Sequence, residues 1–219
     1  MRKSTESEHA AVIWDFDGTL VDSAERNLDI TRSILSTEIG VDPDEISALR
    51  TIHGYRAAIL DVRSWRELYV DHFHLSRSQA ERAGTCWTEY QLLHEMELSL
   101  LPGIEEVVKS VAGPQAIVSL NSASQISRTL SRAGVDDRFS AIIGYEEFPS
   151  SQHKPAPGAL LFTIDSLGLE LGSTVFFVGD HPVDAECVHR ARASWPAEAP
   201  FKLLFVAAQY VCEGTPSDW

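Results

Sequence analysis

The sequence predicts an α/β protein: a doubly wound parallel sheet interrupted, after its first strand, by an all-helical insertion. Three observations carry this. The runs 10–14, 116–120, 141–143, 175–178 and 203–206 are short and almost continuously apolar, as strands covered on both faces are. From residue 100 onward these runs alternate with helical stretches, the pattern of a parallel sheet with crossover helices. Between residues 21 and 99 the apolar residues recur at helical spacing with no convincing strand. The expected domains are a core of residues 1–20 and 100–219 and a helical domain of residues 21–99.

In chain order, residues 2–8 read as a frayed polar tail and Ala10 to Trp14 as the first strand. From Asp22 the pattern becomes helical, with Leu28, Ile30, Ile34, Leu35 and Ile39 on one face and Gly40 as a stop. Asp42-Pro43 opens a helix through Leu49, and 54–62, 64–73 and 76–98 are further amphipathic helices, the last carrying Trp87, Tyr90, Leu93 and Met96. Pro102-Gly103 restarts the chain with a helix through Val111. Helices over 124–133, 157–167 and 184–193 then separate the remaining strands. There is no internal repeat and no low-complexity tract.

Composition narrows the function classes. Asp and Glu number 32 against 18 Lys and Arg, a net charge of −14, so nucleic acid and anionic membranes are not expected partners. A phosphorylated small molecule meets the same repulsion unless a metal, a lysine or backbone N–H groups make its site locally positive. Cys86, Cys187 and Cys212 form no C-x-x-C pair and leave one thiol over in any disulfide scheme, which fits a reducing, cytoplasmic setting. No apolar stretch has the length of a membrane span and the first residues carry no signal-peptide core, so neither anchoring nor export is expected.

The chemistry concentrates where apolar runs end. Asp15 and Asp17 close the first, two residues apart, and a strand would aim both carboxylates one way. Paired like charges disfavour each other's ionisation, and a hard divalent cation relieves this. Ser119 ends the second run, with Asn121 and Ser122 beyond it; its hydroxyl offers a donor without adding charge. Lys154, before Pro155, is the only lysine between Lys109 and Lys202 and is held ahead of a helix. The run 175–178 leads into Gly179-Asp180 and then Asp184, a third carboxylate and a partner for Lys154 or a metal-bound water. Each piece alone also fits a structural role: a turn at Asp17-Gly18, loop chemistry at Ser119, a solvated loop charge at Lys154, a helix N-cap at Asp180 or Ser122. Four such pieces, each at a strand's carboxyl end, point to one ligand site.

Asp15-Phe16-Asp17-Gly18-Thr19-Leu20, Ser119, Lys154-Pro155 and Gly179-Asp180 with Asp184 resemble the four motifs of the haloacid dehalogenase superfamily. The likeness is to its phosphoglycolate-phosphatase-like branch, which has a Rossmann-like core and a helical (C1) cap, and it spans Ala11 to about Ala208. The separation of Gly134 from Ser119 is the one usual in relatives. Leu120, where relatives often carry Asn, and Ala191-Arg192-Ala193 with the loop that follows it are departures. The resemblance implies Mg²⁺-dependent hydrolysis of a small phosphate monoester. Asp15 would be the nucleophile and Asp17 the acid/base; Asp15, the Asp17 carbonyl and Asp180 would hold the metal. Gly18, Ser119, Leu120, Asn121 and Lys154 would hold the phosphate, with Asp184 behind them. Asp17 argues against a dehalogenase, whose pattern lacks an acid/base there.

In the helical insertion, His53 and Arg56, beside Gly54, are the candidates to face the leaving group; Arg50, Arg63, Trp65, Tyr69 and Trp87 are surface charges or core aromatics otherwise. Two other functions share the motifs. A phosphosugar mutase would carry a histidine where Asn27 stands. A non-catalytic phosphate-binding or partner-binding module would not need the full carboxylate set. A phosphonate hydrolase is excluded, since residues 21–99 contain no lysine for a Schiff base. The expected partner is a small phosphorylated metabolite, and the chain is expected as a monomer or homodimer.

Overall fold

A computed structural model describes residues 10–195 and 201–208. The expected N-terminal tail, most of the loop after Trp195 and Cys212 lie outside the described residues. The chain divides into two compact units: residues up to Val21 with those from Ser99 onward, and Asp22–Leu98.

The first unit is a five-stranded parallel sheet of order β3-β2-β1-β4-β5, with strands β1 (Ala10–Trp14), β2 (Gln115–Val118), β3 (Ala141–Ile143), β4 (Thr174–Gly179) and β5 (Lys202–Ala207). Central β1 pairs with β2 on one side and β4 on the other, Ile13 lying opposite both Ala116 and Phe177. The order reverses at β1, so the crevice outside the carboxyl ends of β1 and β4 is the topological switch point where ligands bind in such sheets.

The second unit comprises the helices α1 (Ala24–Ile34), α2 (Ile52–Leu60), the single turn α3 (Trp65–Glu67) and α4 (Arg77–Leu93). Its core gathers Ile30, Ile34, Leu35, Leu49, Tyr55, Tyr69 and Phe73, with Trp65 and Trp87 packed half-buried against them. Tyr69 is thus a core aromatic. α1 and α3 each continue into a π-helical turn, Leu35–Ile39 and Leu68–His72. Two expected helices are shorter. Residues 42–49 form two separate 3-10 turns, because Ile46 between them is extended and Asp42 spends its side chain capping the first. α4 ends at Leu93, where His94 turns extended.

In the sheet unit α5 (Ile104–Ser110), α6 (Ala123–Ala133), α7 (Gly158–Ser166) and α8 (Pro182–Ser194) follow. Ile13, Val118, Val175 and Phe177 pack against Leu160 and Ile164 of α7 and Cys187 and Val188 of α8, forming one side of the core. On the other side Gln115 is buried between layers, accepting from the Trp14 indole N–H and donating to the Val108 carbonyl of α5. This satisfies three polar groups that burial would otherwise strand. Among the described residues, no helix is long and apolar enough to cross a membrane.

Candidate active site

The regular part of β1 ends at Trp14, although the Asp15 N–H still donates to the Val178 carbonyl. From Phe16 the chain curls, and the amides of Thr19, Leu20 and Val21 all turn back to the Phe16 carbonyl. The strand pleat therefore does not carry through to Asp17, and the two acids that the sequence placed on one face have different partners. Lys154 Nζ donates to Asp15 Oδ1 at 2.7 Å and to Asp184 Oδ1 at 2.6 Å, all three side chains being buried. Asp17 instead accepts from Asn121 Nδ2, at 3.0 and 3.2 Å to its two oxygens.

Asp180, just past β4, brings a third acid to Asp15 and Asp184: one carboxylate oxygen from each lies within 4.8 Å of the others. Its Oδ1 accepts from the Thr19 hydroxyl at 3.2 Å, a contact that the sequence reading did not single out; the Thr following Asp-Gly was the available signal. Two glycines permit the close packing. A Cβ on Gly18, whose φ is +76°, would lie 2.1 Å from Asp180 Oδ2, and one on Gly179 would lie 2.5 Å from Asp184 Oδ2. Both positions admit only hydrogen at the α-carbon if the carboxylates keep their places.

Of the two roles open to Asp184, the structure shows the partner of Lys154. Its other oxygen accepts from the His181 N–H, and His181 caps α8 through Nδ1 on the Val183 N–H. Asp180 is therefore not the helix cap. Ser122 does cap α6, accepting from the Gln125 N–H. Ser119 is 4% exposed, and its hydroxyl accepts from the Asn121 N–H. Leu120 is 43% exposed, the single apolar member of a loop whose polar residues are buried.

The electrostatics follow from burial. Desolvation drives the Asp15 carboxyl well above its ordinary value; Lys154 pulls it down, and Asp184 and Asp180 push it up again. Desolvation likewise raises Asp180, with Asp184 adding to it, to about 6. Burial disfavours the Lys154 ammonium, but Asp15 and Asp184 more than offset this and hold its pKa above the ordinary lysine value. Three carboxylates against one ammonium leave a negative, oxygen-rich cluster. A hard divalent cation fits that donor set, and binding one would favour the ionised forms. With both oxygens of Asp184 engaged, Asp15 and Asp180 are the side chains best placed to ligate.

His53 and Arg56 belong to the helical unit, on α2. His53 is exposed, and Arg56 donates to Asp22 Oδ2 at 2.5 Å.

A parallel sheet reversing at β1, with a lysine-bound carboxylate at that reversal and further acids at the ends of β1 and β4, has the arrangement of a strand-end ligand site able to hold a cation. Residues 12–195 match the model of the haloacid dehalogenase-like hydrolases, and the chain belongs to that family. Among its relatives is a phosphoglycolate phosphatase of Aquifex aeolicus (strain VF5), 28% identical over 188 residues that cover 82% of this chain and 80% of that one. Another is a phosphoglycolate phosphatase of Cereibacter sphaeroides, 29% identical over 185 residues, with the same coverage of 82% and 80%. The chain is an enzyme of the family's phosphatase kind, as its motifs implied. A crystal structure of a CbbY variant from Rhodobacter sphaeroides, in complex with xylulose-(1,5)-bisphosphate, superposes with a TM-score of 0.63 at 18% identity, covering 94% of this chain and 89% of that one. At that identity the likeness is one of fold.

Proposed function

We propose that the protein hydrolyses a small-molecule phosphate monoester, with Mg²⁺, through a covalent phosphate on Asp15. The observation that carries this is Asp15 itself: a buried carboxylate clamped by Lys154 at 2.7 Å, with Asp180 within a cation's bridging span. An Asp15 oxygen attacks phosphorus and the ester P–O bond breaks; Asp17 gives its proton to the departing alkoxide. Water then attacks the aspartyl-phosphate, Asp17 takes the water's proton, and the Asp15–phosphate bond breaks to release inorganic phosphate. Lys154, the Ser119 hydroxyl, the Leu120 N–H and the backbone N–H groups beside Gly18 would supply positive charge and donors to the phosphoryl oxygens, while the Asn121 N–H stays on the Ser119 hydroxyl. Mg²⁺, held by Asp15, the Asp17 carbonyl and Asp180, would offset the repulsion between nucleophile and phosphate.

We assign the choice of leaving group to the helical unit, with His53 and Arg56 the first residues to vary. The named activities of the two sequence relatives make phosphoglycolate the first substrate to try. The free thiols of Cys86 and Cys187 fit work in the cytoplasm, as a monomer or homodimer. The test is phosphate release from phosphoglycolate, sugar phosphates, nucleotides and an aryl phosphate, with Mg²⁺ or with EDTA, for the native protein and Asp15→Asn. Release is expected with Mg²⁺ alone and is abolished in the folded variant. A variant that keeps more than a small fraction of the rate removes Asp15 as nucleophile.

A further inference from the structure

We propose that Asn121 is a positioning residue for Asp17, fixing the acid/base carboxylate for proton delivery to the leaving group. This rests on the reading of Asp17 given above and goes beyond the phosphate-holding role that the sequence suggested for Asn121. Asn121 is 5% exposed, and its amide has one orientation. Oδ1 accepts from the Ser122 N–H at 2.8 Å, so the nitrogen that remains is the group facing Asp17, sharing its N–H between the two carboxylate oxygens at 3.0 and 3.2 Å. An acceptor in that place would repel the carboxylate; the Ser122 contact excludes the flipped amide.

The backbone of Asn121 is fastened as well. Its N–H donates to the Ser119 hydroxyl at 3.1 Å, and its carbonyl accepts from the Tyr145 N–H at 3.1 Å. Glu146 Oε1, next in sequence, accepts from the Ala123 N–H at 2.9 Å and closes a second tie between the two loops. The loop after β3 is folded on itself by His153, whose Nε2 lies 2.8 Å from the Tyr145 carbonyl and 2.9 Å from the Phe148 carbonyl. The residue after His153 is Lys154, which holds Asp15. The nucleophile and the acid/base are thus tied to one scaffold, Asp15 through Lys154 and Asp17 through Asn121. A carboxyl already oriented pays less entropy when its proton moves in the transition state.

The experiment compares kcat/KM of the native protein, Asn121→Ala and Asn121→Asp on two esters with Mg²⁺: p-nitrophenyl phosphate, whose phenolate departs without a proton, and an alkyl phosphate, whose alkoxide needs one. The ratio kcat/KM reports phosphoryl transfer to Asp15, the step in which Asp17 acts as acid. General-acid assistance contributes about 10²–10⁴-fold, so misplacing the acid is expected to cost the alkyl ester about ten- to a hundredfold more than the aryl ester. Asn121→Asp keeps the shape, turns a carboxylate toward Asp17, and is expected to match or exceed that selective loss. Inhibition by inorganic phosphate stays near the native value if the amide positions Asp17. Equal losses on both esters, or weakened phosphate inhibition in proportion to the lost rate, overturn the proposal and return Asn121 to phosphate binding. A native protein that releases phosphate from neither ester overturns the functional reading itself, and this inference with it.

Discussion

Replacing Lys154 by methionine keeps the length of the side chain and deletes its charge, leaving Asp15 and Asp184 to face each other with side chains 9% and 1% exposed. Two charge-assisted hydrogen bonds, at 2.7 and 2.6 Å, disappear. At about 1.5–3 kcal/mol for a hydrogen bond to a charged group, the pair sets an upper range of about 3–6 kcal/mol. Breaking a buried ion pair by removing one partner costs about 3–5 kcal/mol. The two routes agree, and the loss is a large part of the roughly 5–15 kcal/mol that holds a typical domain. Its sign with pH is fixed too. The Asp15 carboxyl already lies well above its ordinary value through burial, and losing the ammonium raises it further. The folded variant therefore binds protons that the unfolded chain releases, so acidification stabilises it relative to the unfolded chain. Urea unfolding followed by circular dichroism, without divalent metal, is expected to show a deficit of about 3–5 kcal/mol near pH 7.5 that narrows toward about pH 5. A deficit under about 1 kcal/mol, or one that widens on acidification, refutes the claim that Lys154 compensates the buried acids.

Three further outcomes follow from the same geometry. Gly18→Ala meets a left-handed backbone cost of about 1–2 kcal/mol and drives a methyl into Asp180; phosphate release is expected to fall about a hundredfold and half-maximal activity to require more Mg²⁺, whereas native kinetics would show that Asp180 yields freely. With Asp180 at about 6 when folded and 3.8 as its ordinary value, folding is favoured by protonation below about 6 and opposed by ionisation above it, a cost that a bound divalent cation would offset. The rise in melting temperature on adding Mg²⁺ should therefore grow between about pH 5 and pH 7.5; a pH-independent rise contradicts this. Burial pushes the Cys187 thiol up to about 12, so iodoacetamide followed by peptide mass spectrometry should label it only in denaturant, and labelling of the native protein near pH 8 would refute that.

The sheet was readable because each of its strands is an apolar run whose one polar residue, where it has one, stands at its start (Gln115, Thr174, Lys202): β1 and β3 begin and end where the sequence placed them, and the others differ by a residue or two. The helical unit was less so. Residues 42–49 carry a helix-like spacing of Ile46 and Leu49, but Pro43 and the Asp42 side chain favour a capped single turn over a continued helix. Distance-spanning contacts were legible only as alternatives: the strand-end motifs could be read as one site with Asp184 a candidate partner of Lys154, and no more than that. The Lys154 clamp joins residues far apart in the chain, and the choice between Lys154 and a metal-bound water for Asp184 needed coordinates. The tie from Asn121 to Asp17 depends on which end of an amide Ser122 engages, and no pattern in sequence encodes that.

That tie and the lysine clamp resolve the problem set by two acids so close along one chain. If Asp15 and Asp17 shared one environment, each would raise the other's affinity for protons, and the proposed nucleophile would be lost to protonation. The curl after Phe16 separates their fates. Asp15 is handed to a buried ammonium, which favours its anion, and sits beside acids that disfavour that anion until a divalent cation is bound; in the proposed reaction this is the group that attacks phosphorus. Asp17 is handed to a neutral amide, which orients a carboxyl without neutralising it and leaves it able to accept and return a proton. In the proposed reaction two residues of the same type would then take opposite parts, the Lys154 ammonium holding one and the Asn121 amide orienting the other.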